Sequence, residues 1–147
     1  INYRINAILE KYEKFYKHME MLEACIIPYN QFVKMLNLMD EEALKNILAN
    51  DGNSHAISNL KQNRLPLTLD TLIEYIFKTG ALYSGAYTSF HHYIDSERRL
   101  CLVFDHKFGL KWSRIIAASF SRLIEMALHR QAESEVLPYT VTIRLDN

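Results

Sequence analysis

Four side chains suited to acid–base or metal chemistry crowd one stretch of the chain: His91, His92, Asp105 and His106. A metal centre needs three or four converging ligands. His91 and His92 are neighbours in a β-rich run, Tyr87-Thr88-Ser89-Phe90-His91-His92-Tyr93-Ile94. Adjacent strand residues point to opposite faces, so the two histidines diverge. His91 keeps company with Ser89 and Tyr93, and His92 with Phe90 and Ile94. The spacing matches no zinc or di-metal signature, and no metal site is expected. Cys101 could form a nucleophile pair with His92 or His106 across the strands. Its neighbours Leu100 and Leu102 favour an inert core thiol. GxSxG, Walker, GxGxxG and HExxH motifs are absent. The residues therefore imply no catalytic set and no cofactor.

The segment His106-Lys107-Phe108-Gly109-Leu110-Lys111-Trp112-Ser113 holds the only tryptophan and one of four glycines. It opens a long helical pattern. The first N–H groups of a helix are unpaired and carry partial positive charge. Lys107, Lys111 and Arg114 add to that charge. His106, Gly109, Lys111, Trp112 and Ser113 are thus the candidate ligand-binding residues, for a small anion or carboxylate. The competing reading is packing: Gly109 turns the corner, Trp112 plugs the helix onto a sheet, and the lysines are solvated.

Elements on both sides must position this corner. Residues 2–24 read as an amphipathic helix, with Ile5, Ile8, Leu9, Tyr12, Phe15, Tyr16, Met19 and Leu22 on the apolar stripe. Such a stripe needs a cover, either core or partner. Pro28 starts a second helix to about Leu38, with Phe32, Val33, Met35, Leu36 and Met39 as its apolar face. Asp40 caps a third, whose Leu44, Ile47 and Leu48 point inward. Asn50-Asp51-Gly52-Asn53 is expected to stop it. Ser54 opens a short helix through Ile57 and Leu60. Thr68 or Asp70 caps the next, ending near Gly80 or Gly85.

The period then changes. The run from Tyr87, the turn Asp95-Ser96-Glu97-Arg98 and the strand Leu100–Phe104 form a hairpin. A helix follows from Leu110 to about Ala132. Tyr139, Val141, Ile143 and Leu145 then alternate with Thr140, Thr142 and Arg144, one face buried and one wet. The fold class is α+β. A helical segment, residues 1–64, precedes an α+β domain, residues 65–147. That domain is a β-β-α-β unit with one long helix on a small antiparallel or mixed sheet. A small sheet has edges to protect, and two copies pairing there or through the first helix would do so. A homodimer is expected.

Lys+Arg and Asp+Glu both number 17 in 147 residues. Bulk charge gives no nucleic-acid face, although Arg98, Arg99, Lys107, Lys111 and Arg114 lie close in sequence. Cys25 and Cys101 read as buried free thiols of a reducing cytoplasm. No apolar run spans a membrane, and no signal peptide is read. The opening Ile1-Asn2-Tyr3-Arg4 lies in mid-pattern without an initiator Met, which suggests a truncated or processed N-terminus.

The pattern His106-x-x-Gly109-x-Lys111-Trp112-Ser113, after a hairpin and opening a helix, resembles the C-terminal domain of ribbon-helix-helix transcription regulators of ammonia-oxidising archaea. Asn2, Ile5-Asn6, Ile8-Leu9 and Tyr12 resemble the closing helix of the ribbon-helix-helix module. Ile27-Pro28, Phe32, Leu36 and Asp40-Glu41-Glu42 resemble its helical linker. The DNA-reading strand and first helix are absent. The resemblance implies the effector or assembly part of a regulator. Together with the absent catalytic signatures and the edge-rich small sheet, it leads to the expectation of a non-enzymatic, dimerising regulatory domain open to a small-molecule effector. It would touch DNA only through the missing module. The alternatives are a small-molecule-binding protein or enzyme with its site at the corner, and a structural subunit docking through the first helix.

Overall fold

Leu100-Cys101-Leu102-Val103-Phe104 is apolar at every position, so it must be covered on both faces and belongs at a sheet's centre. In the computed structural model, which describes residues 2–16, 27–79 and 84–146, it is central. Strand β1 (Ser89–Ile94) pairs with β2 (Leu100–Asp105), β2 with β4 (Thr140–Leu145), and β4 with β3 (Glu133–Val136). Every pairing is antiparallel. The order β1-β2-β4-β3 leaves β1 and β3 as edges. The sheet is thus antiparallel throughout, so the handedness rule for parallel crossovers does not apply.

Helix α1 (Asn2–Lys11) continues with wider, π-type bonding over Tyr12–Tyr16. The rest of the expected first helix, with Met19, Leu22 and Cys25, lies outside the described residues. Then come α2 (Tyr29–Leu38), α3 (Glu41–Asn46), a π-type stretch Ile47–Gly52, and α4 (Asn53–Gln62). Next are the single turn α5 (Leu69–Thr71), a π-type stretch Leu72–Lys78, and after the hairpin the long α6 (Leu110–Leu128). Two caps fall where short-range chemistry puts them. Asp40 accepts from the Ala43 N–H at 2.8 Å, and Thr68 from the Thr71 N–H. Gly80 is outside the described residues.

One face of the sheet carries Leu100, Leu102, Phe104, Val141, Ile143 and Leu145, all buried. Helix α6 packs there through Ile116, Leu123, Ile124 and Ala127, and Leu36, Ile57, Leu60, Leu72 and Phe77 join the same cluster. Phe104 is its centre, with ring centroids 4.8 Å from Phe120, 5.0 Å from Phe90 and 5.1 Å from Phe77. Full burial of such a side chain contributes about 1.5–3 kcal/mol.

Several expectations are corrected. Asn50-Asp51-Gly52-Asn53 does not stop the helix; the backbone stays helical through it, and Ser54 lies inside α4 instead of capping it. Asn53 is buried, and its amide donates to the carbonyls of Ala49 at 2.9 Å and Ser119 at 2.7 Å. A tertiary bond to α6 thus satisfies the group that would otherwise favour a turn. The long helix ends at Leu128, where His129 takes the left-handed conformation (φ 54°), and not near Ala132. Glu133-Ser134-Glu135-Val136 then forms a fourth strand, making the unit β-β-α-β-β. Ile47, Met35, Met39 and Tyr139, expected on buried faces, are exposed.

Candidate functional site

The corner is built by β2 feeding α6 through Gly109. That glycine has φ 86° and ψ 177°, a region essentially reserved for glycine. Strand β2 delivers His106, whose N–H donates to the Tyr139 carbonyl at 2.9 Å. The imidazole is buried. The Phe108 N–H donates to its Nδ1 at 3.2 Å, so the ring hydrogen sits on Nε2. Nε2–H donates to Ser113 Oγ at 2.8 Å, and the Ser113 hydroxyl donates to the Leu137 carbonyl at 2.6 Å. Burial pushes His106 below the ordinary histidine value, against a smaller opposing pull from Asp105. A neutral imidazole donating to Ser113 holds no lone pair toward that hydroxyl. The pair ties the strand, the helix and the β3–β4 connection together.

The remaining candidates are equally engaged. Trp112 is buried; its Nε1–H donates to the Ala86 carbonyl at 2.8 Å, and its ring meets Phe32 edge-on at 5.3 Å. Lys111 Nζ donates to the carbonyls of Leu36, at 2.6 Å, and Met39. These are C-terminal carbonyls of α2, the negative end of that helix, where a cation is favoured. The lysine charge is therefore directed at α2 and not presented at the start of α6. Tyr29 OH reaches the Lys107 carbonyl at 2.9 Å, holding the other end of α2. Phe108 fills the space between Tyr29, Phe32 and Trp112.

Arg114 extends the clamp to α3. Its Nε and one terminal nitrogen each lie 2.6 Å from the Glu41 carboxylate, a bidentate pair. The hydrogen bonds from Arg114 and then Lys45 pull Glu41 down to about 2. Sequence separations of 73 and 75 residues join these partners to the corner. Neither pairing has a local signature, so sequence reasoning misses both.

The other expectations separate cleanly. His91 stacks on Tyr93 and His92 on Phe90, on opposite faces of β1. Among the described residues no group of three His, Cys, Asp or Glu side chains could hold a metal. Cys101 is buried and free. Its face is the one away from α6, opposite Tyr93 and Arg144 in the register. His92 and His106 belong to the α6 face, so neither pairs with the thiol. Its sulfur lies instead 3.7 Å from Asp95 Oδ2. Arg98 and Arg99 sit at the hairpin turn, and Lys107, Lys111 and Arg114 at the opposite end of β2, about 20 Å away for six strand residues. The run of basic residues is therefore not one patch.

On the α6-free face Asp105 accepts from Ser89 of β1 at 2.6 Å and Thr140 of β4 at 2.8 Å. The Ser89 bond, opposed by burial and helped by Thr140, lowers its pKa. No described helix is long and apolar enough to cross a membrane. No protein-family model, curated protein or solved structure matches the chain.

Proposed function

We propose that this chain is the non-enzymatic effector and dimerisation part of a transcription regulator. In this reading the corner couples a helical arm to the sheet unit, and a small-molecule effector acts by biasing that coupling. The observation that carries the reading is α1. Every described side chain from Tyr3 to Glu13 is exposed, including Ile8 at 68% and Leu9 at 58%. The apolar stripe Ile5-Ile8-Leu9-Tyr12-Tyr16 follows helical spacing. An apolar helical stripe without tertiary cover is marginal in water. Glu10 and Glu13 alternate with Lys11 and Lys14, a self-complementary set that suits a second copy of the same helix.

Sedimentation equilibrium tests this. The chain should be a dimer at micromolar concentration, and the double variant Ile8→Glu, Leu9→Glu should be a folded monomer. A wild-type monomer at the highest soluble concentration would overturn the reading. The surface would then fit a different protein, as in a structural subunit.

A further inference from the structure

We infer that β1 is a homotypic pairing edge: it hydrogen-bonds antiparallel to β1 of a second copy and extends the sheet across the dimer. That the partner is a second copy rests on the self-association reading above. The edge itself is argued from different residues.

An edge strand leaves a row of backbone donors and acceptors without a ladder partner, and proteins usually blunt such edges with charge, brevity or a bulge. The two edges of this sheet differ. Strand β3 has four residues, two of them glutamates. Arg144 donates to Glu135, and Glu133 lies near Arg99. Self-pairing there would oppose carboxylates. Strand β1 is six residues, Ser-Phe-His-His-Tyr-Ile, with no Lys, Arg, Asp, Glu or Pro. His91, His92, Tyr93 and Ile94 are exposed, Tyr93 at 49% and Ile94 at 55%.

The ladder identifies which groups face outward. Asp95 N–H donates to the Arg99 carbonyl, and Thr88 N–H to the Asp105 carbonyl. Odd-numbered carbonyls of β2 therefore turn toward β1. The register pairs odd residues with odd, Tyr93 with Cys101 and His91 with Val103. In an antiparallel pair the groups of successive residues alternate in direction. The N–H and C=O of Phe90, His92 and Ile94 thus point away from the sheet.

A two-fold axis perpendicular to the sheet at His92 sets His92 opposite the partner's His92 and Phe90 opposite the partner's Ile94. All three are outward-facing residues, so each pair can exchange two hydrogen bonds. The same register keeps like faces together. Phe90, His92 and Ile94 lie beside Phe104, Leu102 and Leu100 on the α6 face, and Tyr93 meets the partner's His91 on the other. Backbone matching and face matching select one family of registers. Centring on His91 overlaps the same number of strand residues, five, but only centring on His92 pairs all three outward residues, Phe90, His92 and Ile94. Both copies of α6 then cover the same side of one continuous sheet.

Amide hydrogen exchange on the wild-type chain, followed across concentration with sedimentation, tests this. The amides of Phe90, His92 and Ile94 should gain protection as the dimer forms, while those of His91 and Tyr93 stay protected in both states. His92→Pro removes an outward donor without touching the β1–β2 ladder and should weaken association at least tenfold. Ile94→Lys keeps the amide and should act in the same direction, and circular dichroism reports whether each variant folds. A dimer whose Phe90, His92 and Ile94 amides stay open, and which survives both substitutions, overturns the edge pairing and leaves the dimer reading standing. A monomer at all concentrations overturns both.

Discussion

The corner from His106 to Ser113 and the strand Ser89–Ile94 make opposite uses of their polar groups. The corner collects a histidine, a serine, a lysine and a tryptophan, the residue types that chemistry uses. Each of those side chains donates to or accepts from a named partner within the fold. The strand looks ordinary, yet among the described residues no strand lies beside the outer edge formed by the backbone of three of its residues. Residue type signals chemical capacity, and the pattern of hydrogen bonds shows where that capacity is still open. A buried polar group that is already satisfied holds structure. An exposed row of unsatisfied backbone groups invites a partner.

The contrast can be broken most sharply at Trp112. If the corner is chiefly a packing device, Trp112→Ala should cost about 3–5 kcal/mol in chemical denaturation, the range for truncating a buried aromatic. A loss under about 1 kcal/mol would mean that the ring does little for the core. Ser113→Ala comes next. It leaves the His106 Nε2–H and the Leu137 carbonyl short of a partner, and should cost about 1–3 kcal/mol. Gly109→Ala should cost a similar 1–3 kcal/mol, roughly, because φ 86° with ψ 177° strains any side-chain-bearing residue. A Cβ there would meet nothing within 4 Å, so the loss is one of backbone conformation and not of space.

Acid titration sharpens the same point with smaller effects. His106 is lowered from 6.5, so the unfolded chain binds its proton more readily than the folded one. Stability should begin to fall as pH drops below 6.5, and His106→Gln should flatten that limb. Glu41 is lowered from 4.5 to about 2. Its contribution is fully present above 4.5 and is lost as pH falls toward 2. Glu41→Gln should remove that second limb, read as the pH dependence of the unfolding midpoint. The smallest effect belongs to the edge. Ile94→Lys should change the stability of the monomer by no more than about 0.5 kcal/mol, since it is exposed and leaves the ladder intact.

Some of the corner was legible in the sequence. A glycine between a strand and a helical period marks the turn, and a lone tryptophan at the helix start marks a plug. The destination of Lys111 was not. Nothing near residue 111 announces that α2 will end beside it, and the expected anion site assumed that its charge faced α6. Glu41 stood out as part of the linker pattern Asp40-Glu41-Glu42 and proved to be held by Arg114. The polar fourth strand was hidden for a related reason. Glu133-Ser134-Glu135 continues a helical run as readily as it forms an edge strand, and only the open side of β4 decides between them.

By itself the sequence determined what short-range physics controls. Change of period separated helices from strands, Asp40 placed one helix start and Thr68 or Asp70 bracketed another, and parity sent His91 and His92 to opposite faces. It also determined the α+β class and the burial of Val141, Ile143 and Leu145. The tertiary structure alone decided the strand order, the helix running through Asn50–Asn53, and the partners of Lys111, Arg114 and Ser113. Those outcomes depend on groups distant in sequence meeting across a packed core, where each buried donor takes whatever acceptor the fold brings to it.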